Sequence, residues 1–257
     1  MNITTLAESL DRAALDARPL PGGATGLADT AEAYAVQDAL IVRRLDRGER
    51  LTGFKLGFTS LAKMRQMGVA DLIHGRLTDR MEIPDGGQYD ISGLIHPRVE
   101  PEVAFLLGST LRAGADPLAA VAAVAPALEV IDSRYDGFRF SLPEVIADNT
   151  SAAAYTVGPW GKPGAASGLG NLGVLLELDG RPVETGSTAA ILGHPLRALA
   201  AAARLAGSLE PGTVILAGAA TAAVPLPPGA HVRASVTGLG AVQFTATTAP
   251  TTSEEDA

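Results

Sequence analysis

The sequence predicts an α+β protein in which helices gather at the N-terminus and short strands fill the remainder. Three observations carry that reading. Residues 29–47, DTAEAYAVQDALIVRRLDR, place apolar side chains at helical spacing. After residue 75 the texture changes to short apolar runs separated by Gly, Pro and Asp. The 257-residue chain also holds 29 Gly and 17 Pro with only 19% charged residues, which favours a turn-rich β body over a helical bundle. The expected organisation is a mostly helical region over residues 1–75, a β-rich domain over 76–248 and a frayed tail over 249–257.

The elements follow in order. The first residues, MNITTLAESLDRAALDA, lack the basic start and apolar core of a signal peptide. No apolar stretch reaches the roughly 20 residues that a membrane helix needs, so a soluble cytoplasmic protein is expected. The helix over 29–47 has Asp29 or Thr30 as its cap and Gly48 just past its end. A second helix fits SLAKMRQMG, opened by Thr59 or Ser60 and stopped by Gly68. Strands are then expected in VEPEVAFLL, ALEVID, AAAYTVG, LGVLLELDGRPV, GTVILAG and HVRASVTGLGAVQFTAT. Asp179-Gly180 marks one hairpin and Gly238-Leu239-Gly240 a second. Two helices interrupt the strands, one capped by Asp116 before Pro117 and one in HPLRALAAAARLAG. The last residues, APTTSEEDA, are polar and acidic with nothing to pack.

Composition removes several functions. A net charge of −8 with no run of Lys or Arg offers no footprint for nucleic acid or an anionic membrane. The absence of cysteine excludes disulfides, thiolate metal sites and a cysteine nucleophile. GLGNLG at 168–173 has the spacing of a dinucleotide fingerprint, but a loop precedes it and a strand follows, so it reads as a loop. The chain contains no G-x-S-x-G elbow, P-loop or H-E-x-x-H.

The acidic residues are more informative. In HPRVEPEVAF, Glu100 and Glu102 are two apart on an expected strand, so both point to one face and Pro101 to the other. Burying two like charges together requires a positive partner: an Arg or Lys, a shared proton or a metal ion. Glu129, in PALEVID, adds a third carboxylate on a strand face. Three carboxylates without cysteine suit a hard cation such as Mg²⁺ or Mn²⁺. The plainer reading pairs them with Arg98, Arg134 or Arg139, or leaves them at a solvated edge. Lys55, in GFKLGFTS, is a lone cation in an apolar segment and reads as a buried clamp or a snorkelling surface lysine. Asp79 in GRLTDRM and Ser151 in ADNTS read equally as turn or cap residues, and His96 and His194 as satisfied polar groups.

Taken in order, GFKLGFTSLAKMRQMGV, LIHPRVEPEVAF, PALEVIDSRY, VIADNTS and LGHPL resemble the fumarylacetoacetate hydrolase superfamily, in its branch of meta-cleavage pathway hydratases and decarboxylases. The resemblance runs from residue 30 to residue 245. It implies a mixed β roll or barrel-like sandwich with a helical N-terminal region packed on it. It also implies Mg²⁺ or Mn²⁺ on Glu100, Glu102 and Glu129, catalytic roles for Lys55 and Asp79, and substrate contacts from Ser60 and Ser151. AKMRQMGV, the histidine of IHP, GHPL and TAAVP are more similar to the decarboxylases. The implied reaction is metal-dependent loss of CO₂ from 2-oxohex-3-enedioate, giving 2-hydroxypenta-2,4-dienoate, in aromatic-compound catabolism. Hydration of that dienoate is the sister alternative. A non-catalytic subunit that supports a hydratase is a third, and retention of the three glutamates and Lys55 argues against it. The branch further implies a homo-oligomer and a complex with the pathway hydratase.

Overall fold

A computed structural model describes residues 2–23, 25–60, 64 and 71–248. The chain opens with helices α1 (Ile3–Leu15) and α2 (Thr30–Asp46). Asn2 and Asp29 cap them, each side chain accepting a backbone N–H from three residues on. Gly48, at φ +90°, lets the chain leave α2 in a left-handed turn. Leu6, Leu10, Val36 and Leu40 bury one face of each helix in a cluster that includes Tyr135 and Val145. Buried Asp11 locks the pair by accepting from Arg43 and Arg47 of α2 and its cap.

The strands come next, interrupted by short helices. The first four are β1 (Leu51–Gly57), β2 (Ile73–Thr78), β3 (Gln88–Asp90) and β4 (Arg98–Leu107). After β5 (Leu111–Arg112) and α3 (Pro117–Ala120) comes the long β6 (Val121–Ile131). Helix α4 (Leu142–Ala147) precedes β7 (Ala152–Val157), and the hairpin β8 (Gly173–Leu178) and β9 (Arg181–Ser187) precedes α5 (Pro195–Ala206). The chain closes with β10 (Ser208–Leu209), β11 (Val214–Leu216), β12 (Val224–Pro225), β13 (His231–Val236) and β14 (Gly240–Thr247).

These strands form two main sheets. The larger runs β2-β1-β11-β4-β6-β7 with β12 added along β4, and the smaller runs β3-β14-β13-β8-β9. Val99, Leu128 and Val130 of the first pack against Val232, Val242 and Phe244 of the second, which is the core between the sheets. Alternation along β4 decides the rest: Val99, Val103 and Phe105 enter the apolar layer, while Glu100, Glu102 and Ala104 face the other way. The expected mixed β roll with helices at its N-terminus is therefore the observed architecture.

Several local expectations hold. Asp179 and Gly180 take φ +52° and +72° in the β8–β9 hairpin, and Gly238 and Gly240 turn the chain between β13 and β14. GLGNLG ends a 3₁₀ segment and runs into β8, with no crossover helix after it. His194 caps α5, its Nδ1 accepting from the Leu196 N–H.

Strand β1 lies within residues 1–75, the region expected to be mostly helical, and joins the large sheet in parallel with β11. That pairing is fixed by tertiary contact: a Cβ on Gly53 would meet the Val214 carbonyl oxygen at 2.0 Å, so only glycine permits the approach. The helix expected after Asp116 is present, capped by that side chain with Pro117 in its first turn, and it stops at Ala120, where the Val-containing run of β6 pairs with β4. Most of the helix expected in SLAKMRQMG, and the tail over 249–257, lie outside the described residues. Among the described residues no helix is long and apolar enough to cross a membrane.

The segment between β6 and β7 is held by Arg134, whose guanidinium donates to the buried Asp148 carboxylate and to the carbonyls of Asp132 and Asp148. Burial pushes the Asp148 carboxyl up to about 6 against the pull of Arg134, so its charge depends on that partner. Arg134→Ala is expected to destabilise the protein by about 3–5 kcal/mol by leaving a buried carboxylate unpaired. Urea unfolding checks this, and an unshifted midpoint would count against it.

Candidate metal centre

Strand register brings the carboxylates together. Glu100 stands directly opposite Glu129 in the antiparallel β4–β6 ladder, and Glu102 is opposite Ala127, so all three glutamates share one face. Lys55 reaches the same face through its neighbours: it pairs with Leu216 of β11, which pairs with Ala104 of β4. All four side chains are buried, Glu129 completely.

One oxygen from each glutamate lies within 4.8 Å of the others. Lys55 Nζ is 3.0 Å from Glu129 Oε2 and donates to the Thr150 carbonyl at 3.0 Å. The Gly218 N–H donates to Glu102 Oε2 at 2.7 Å. Gly218 holds φ +102°, and a Cβ there would meet Thr59 Oγ1 at 2.1 Å, so glycine is required for this donor to approach. Glu102 Oε1 and Glu129 Oε1 are buried with no hydrogen-bond partner.

One ammonium against three carboxylates leaves a deficit of positive charge. Burial, then repulsion from Glu129 and Glu100, holds the Glu102 carboxyl far above its usual range. Burial likewise raises Glu129 to about 7, although Lys55 pulls it down. Burial opposes the Lys55 charge, but Glu129, Glu100 and Glu102 outweigh it and raise its pKa, so it remains an ammonium. The arginines weighed as partners are engaged elsewhere: Arg134 with Asp148, Arg139 with Asp136, and Arg98 over the Phe138 ring. Unsatisfied, all-oxygen donors of net negative charge fit a hard divalent cation such as Mg²⁺ or Mn²⁺.

A strained turn completes the site. Asn149, Thr150 and Ser151 all take left-handed φ, +50°, +55° and +57°, a conformation that persists only where the surroundings impose it. Asn149 is stapled to β2 by accepting from the Arg76 N–H at 2.7 Å and donating to the Arg76 carbonyl at 2.9 Å. The Thr150 hydroxyl donates to the His74 carbonyl at 2.8 Å. The turn thereby aims a carbonyl at Lys55 and leaves Ser151 Oγ buried without a partner. Lys55, Glu100, Ser60 and Ser151 all line one cavity of about 330 Å³.

Asp79 is not brought to this cavity. It accepts from the Arg50 N–H at 2.9 Å and from Arg50 Nε at 3.0 Å. Thr78 pairs with Leu51, the end of β1 that lies four residues from Lys55, roughly 13 Å along the strand. Sequence reasoning missed Gly218 and the Thr150 carbonyl because both act through backbone. The only trace was a glycine two residues past the strand in VILAG.

Comparison with known proteins identifies the relatives of this chain. The family profile described as fumarylacetoacetate (FAA) hydrolase C-terminal matches residues 73–247. A 4-oxalocrotonate decarboxylase from a Pseudomonas species is 52% identical over 255 residues, covering 96% of this chain and 99% of its own. A 2-keto-4-pentenoate hydratase from Paraburkholderia xenovorans strain LB400 is 35% identical, covering 82% of each chain. The structure of 4-oxalocrotonate decarboxylase from Pseudomonas putida G7, complexed with magnesium and adipate, superposes with a TM-score of 0.90 at 38% identity, covering 95% of this chain and 97% of that one.

The Glu129 carboxyl, raised from 4.5 to about 7, favours the folded state in its acid form. Its contribution to stability without metal is therefore present below pH 4.5 and lost as pH rises through about 7. Cation binding needs the ionised form, so Mg²⁺ affinity should fall as pH drops below that value. The Mg²⁺-induced rise in Tm is expected to be larger at pH 8 than at pH 6. Equal shifts at the two pH values would refute the linkage.

Proposed function

The chain belongs to the fumarylacetoacetate hydrolase family, and on that premise we propose that it decarboxylates 2-oxohex-3-enedioate to 2-hydroxypenta-2,4-dienoate and CO₂. The reading is carried by likeness to a decarboxylase over 96% of the chain, with the buried glutamate triad in place. The hydratase relative is more distant at 35% identity. This makes the chain a carbon–carbon lyase. The same reading makes it a cytoplasmic homo-oligomer that hands its dienol to a partner hydratase.

Glu100, Glu102 and Glu129 would hold the Mg²⁺ or Mn²⁺, which supplies Lewis acidity toward the C1 carboxylate and C2 carbonyl of the substrate. Lys55, kept cationic by the three glutamates, donates a hydrogen bond to the C2 oxygen as negative charge builds there. Its ion pair with Glu129 and its bond to the Thr150 carbonyl fix the ammonium in place. The unpartnered Ser151 hydroxyl donates to the C1 carboxylate, and the backbone at Ser60 orients the chain of the substrate. As the C5–C6 bond breaks, its electron pair forms C4=C5, the old C3=C4 pair moves to C2=C3, and the charge rests on the C2 oxygen. A proton from water then gives the dienol. Asp79, tied to Arg50, takes no part in this scheme.

Chelator-treated protein should release no CO₂ from 2-oxohex-3-enedioate until Mg²⁺ or Mn²⁺ is restored, followed by CO₂ evolution and dienol absorbance. Glu100→Gln should weaken both Mg²⁺ binding and turnover, and unchanged values would remove it from the ligand set. Lys55→Ala should lower kcat by about 10²-fold with Mg²⁺ binding retained, the loss typical of one electrostatic donor. Hydration of added 2-hydroxypentadienoate without CO₂ release would select the sister reaction instead.

A further inference from the structure

Helix α2 reaches the metal centre through one buried side chain. Gln37 of α2 is fully buried, and its Nε2 donates to the His74 carbonyl at 2.9 Å and to the Ile146 carbonyl at 2.8 Å. Two carbonyl acceptors fix which amide atom faces them, because the Gln37 oxygen has no proton to give. His74 lies on β2, and Ile146 lies on α4, three residues before the strained turn begins at Asn149. The amide therefore ties β2 to the helix that leads into the turn. One helical turn earlier on the same face of α2, Tyr34 grips the same residue. Its ring stacks on the His74 imidazole at 4.5 Å, and its hydroxyl accepts the His74 N–H at 3.3 Å. The His74 carbonyl has a second donor in the Thr150 hydroxyl, at 2.8 Å, and the Thr150 carbonyl accepts from Lys55 Nζ at 3.0 Å.

We propose, resting on the role of Lys55 in the decarboxylase reading above, that Gln37 is a positioning residue which aims the Lys55 ammonium through the His74 carbonyl and Thr150. An ammonium has three N–H groups. Glu129 Oε2 and the Thr150 carbonyl take two of them, and the direction of the third, toward the substrate, follows from those two. Thr150 holds φ +55°, a backbone state that persists only while its tethers hold. Loss of the Gln37 amide frees the His74 carbonyl and the end of α4 together, so the turn relaxes and the Thr150 carbonyl moves. Lys55 then keeps its charge and its pair with Glu129 but pivots about that contact. A misplacement of about 1 Å is enough to forfeit much of what an oriented donor gives to a transition state. The N-terminal helices are thereby part of the machinery that orients the site, although Gln37 touches neither metal nor substrate.

The test is a mutant cycle on the Mg²⁺-loaded protein, read as CO₂ release from 2-oxohex-3-enedioate well below each variant's Tm. Gln37→Met keeps the length of the side chain and removes both donors, while His74 retains the Thr150 hydroxyl and the Ile146 carbonyl retains the Asp148 N–H. Thr150→Val removes the other bond to the same carbonyl and carries the test if Gln37→Met does not fold. Val36→Ala, in the helix cluster beside Gln37, is the control for lost stability alone, and its kcat should stay at the wild-type value. The expected result for Gln37→Met is kcat about tenfold lower with Mg²⁺ affinity unchanged, and less than about twofold further loss when it is added to Lys55→Ala. Gln37→Met and Thr150→Val together should likewise lose less than the product of their separate losses. An unchanged kcat in Gln37→Met would overturn the proposal. So would a full, multiplicative loss in the Lys55→Ala background, because Gln37 would then act on the fold and not through Lys55. The wild-type rate is read first: no CO₂ from it overturns the decarboxylase reading and this inference with it, whereas multiplicative losses in an active protein overturn this inference alone.

Discussion

Three carboxylates buried on one sheet face, with one ammonium paired to Glu129, set the terms for the rest of the molecule. Such a cluster is unstable against repulsion and desolvation unless its carboxyls keep protons or a cation of higher charge joins it. The raised carboxyls of Glu102 and Glu129 and their unpartnered oxygens are the two signs of that imbalance. Lys55 offsets part of it and is itself held charged by it. Neither the glutamates nor the lysine would be tolerated in this interior alone.

The fold supplies the rigidity that such an arrangement needs. Two of the three glutamates come from β4 and one from β6, adjacent strands whose register fixes their spacing, while the inward face of the same strands packs on the second sheet. Opposite them, the turn over Asn149–Ser151 is forced into left-handed backbone and stapled to β2. Arg134 and Asp148 brace the segments that lead into it. Side chains of the site are thus placed by ladders and buried hydrogen bonds, which hold geometry better than exposed loops do.

The cavity joins two environments. At one end charge is concentrated and positive charge is drawn in. At the other, phenylalanine, isoleucine and valine side chains form the wall.

Much of this was legible in the residues. The alternation in VEPEVAF put Glu100 and Glu102 on one face, the helical spacing of 29–47 and its Asp29 cap marked α2, and Asp179-Gly180 marked a hairpin. These features depend on neighbours a few positions away, and local sterics or hydrogen bonds fix them. Tertiary structure alone decided that Glu129 stands opposite Glu100, that β1 belongs to the sheet, and that Gly218 and the Thr150 carbonyl attend the site. It also decided that Asp79 belongs to Arg50 at the far end of β1. Those outcomes follow from strand register between segments far apart in the chain, and from backbone groups that every residue carries alike.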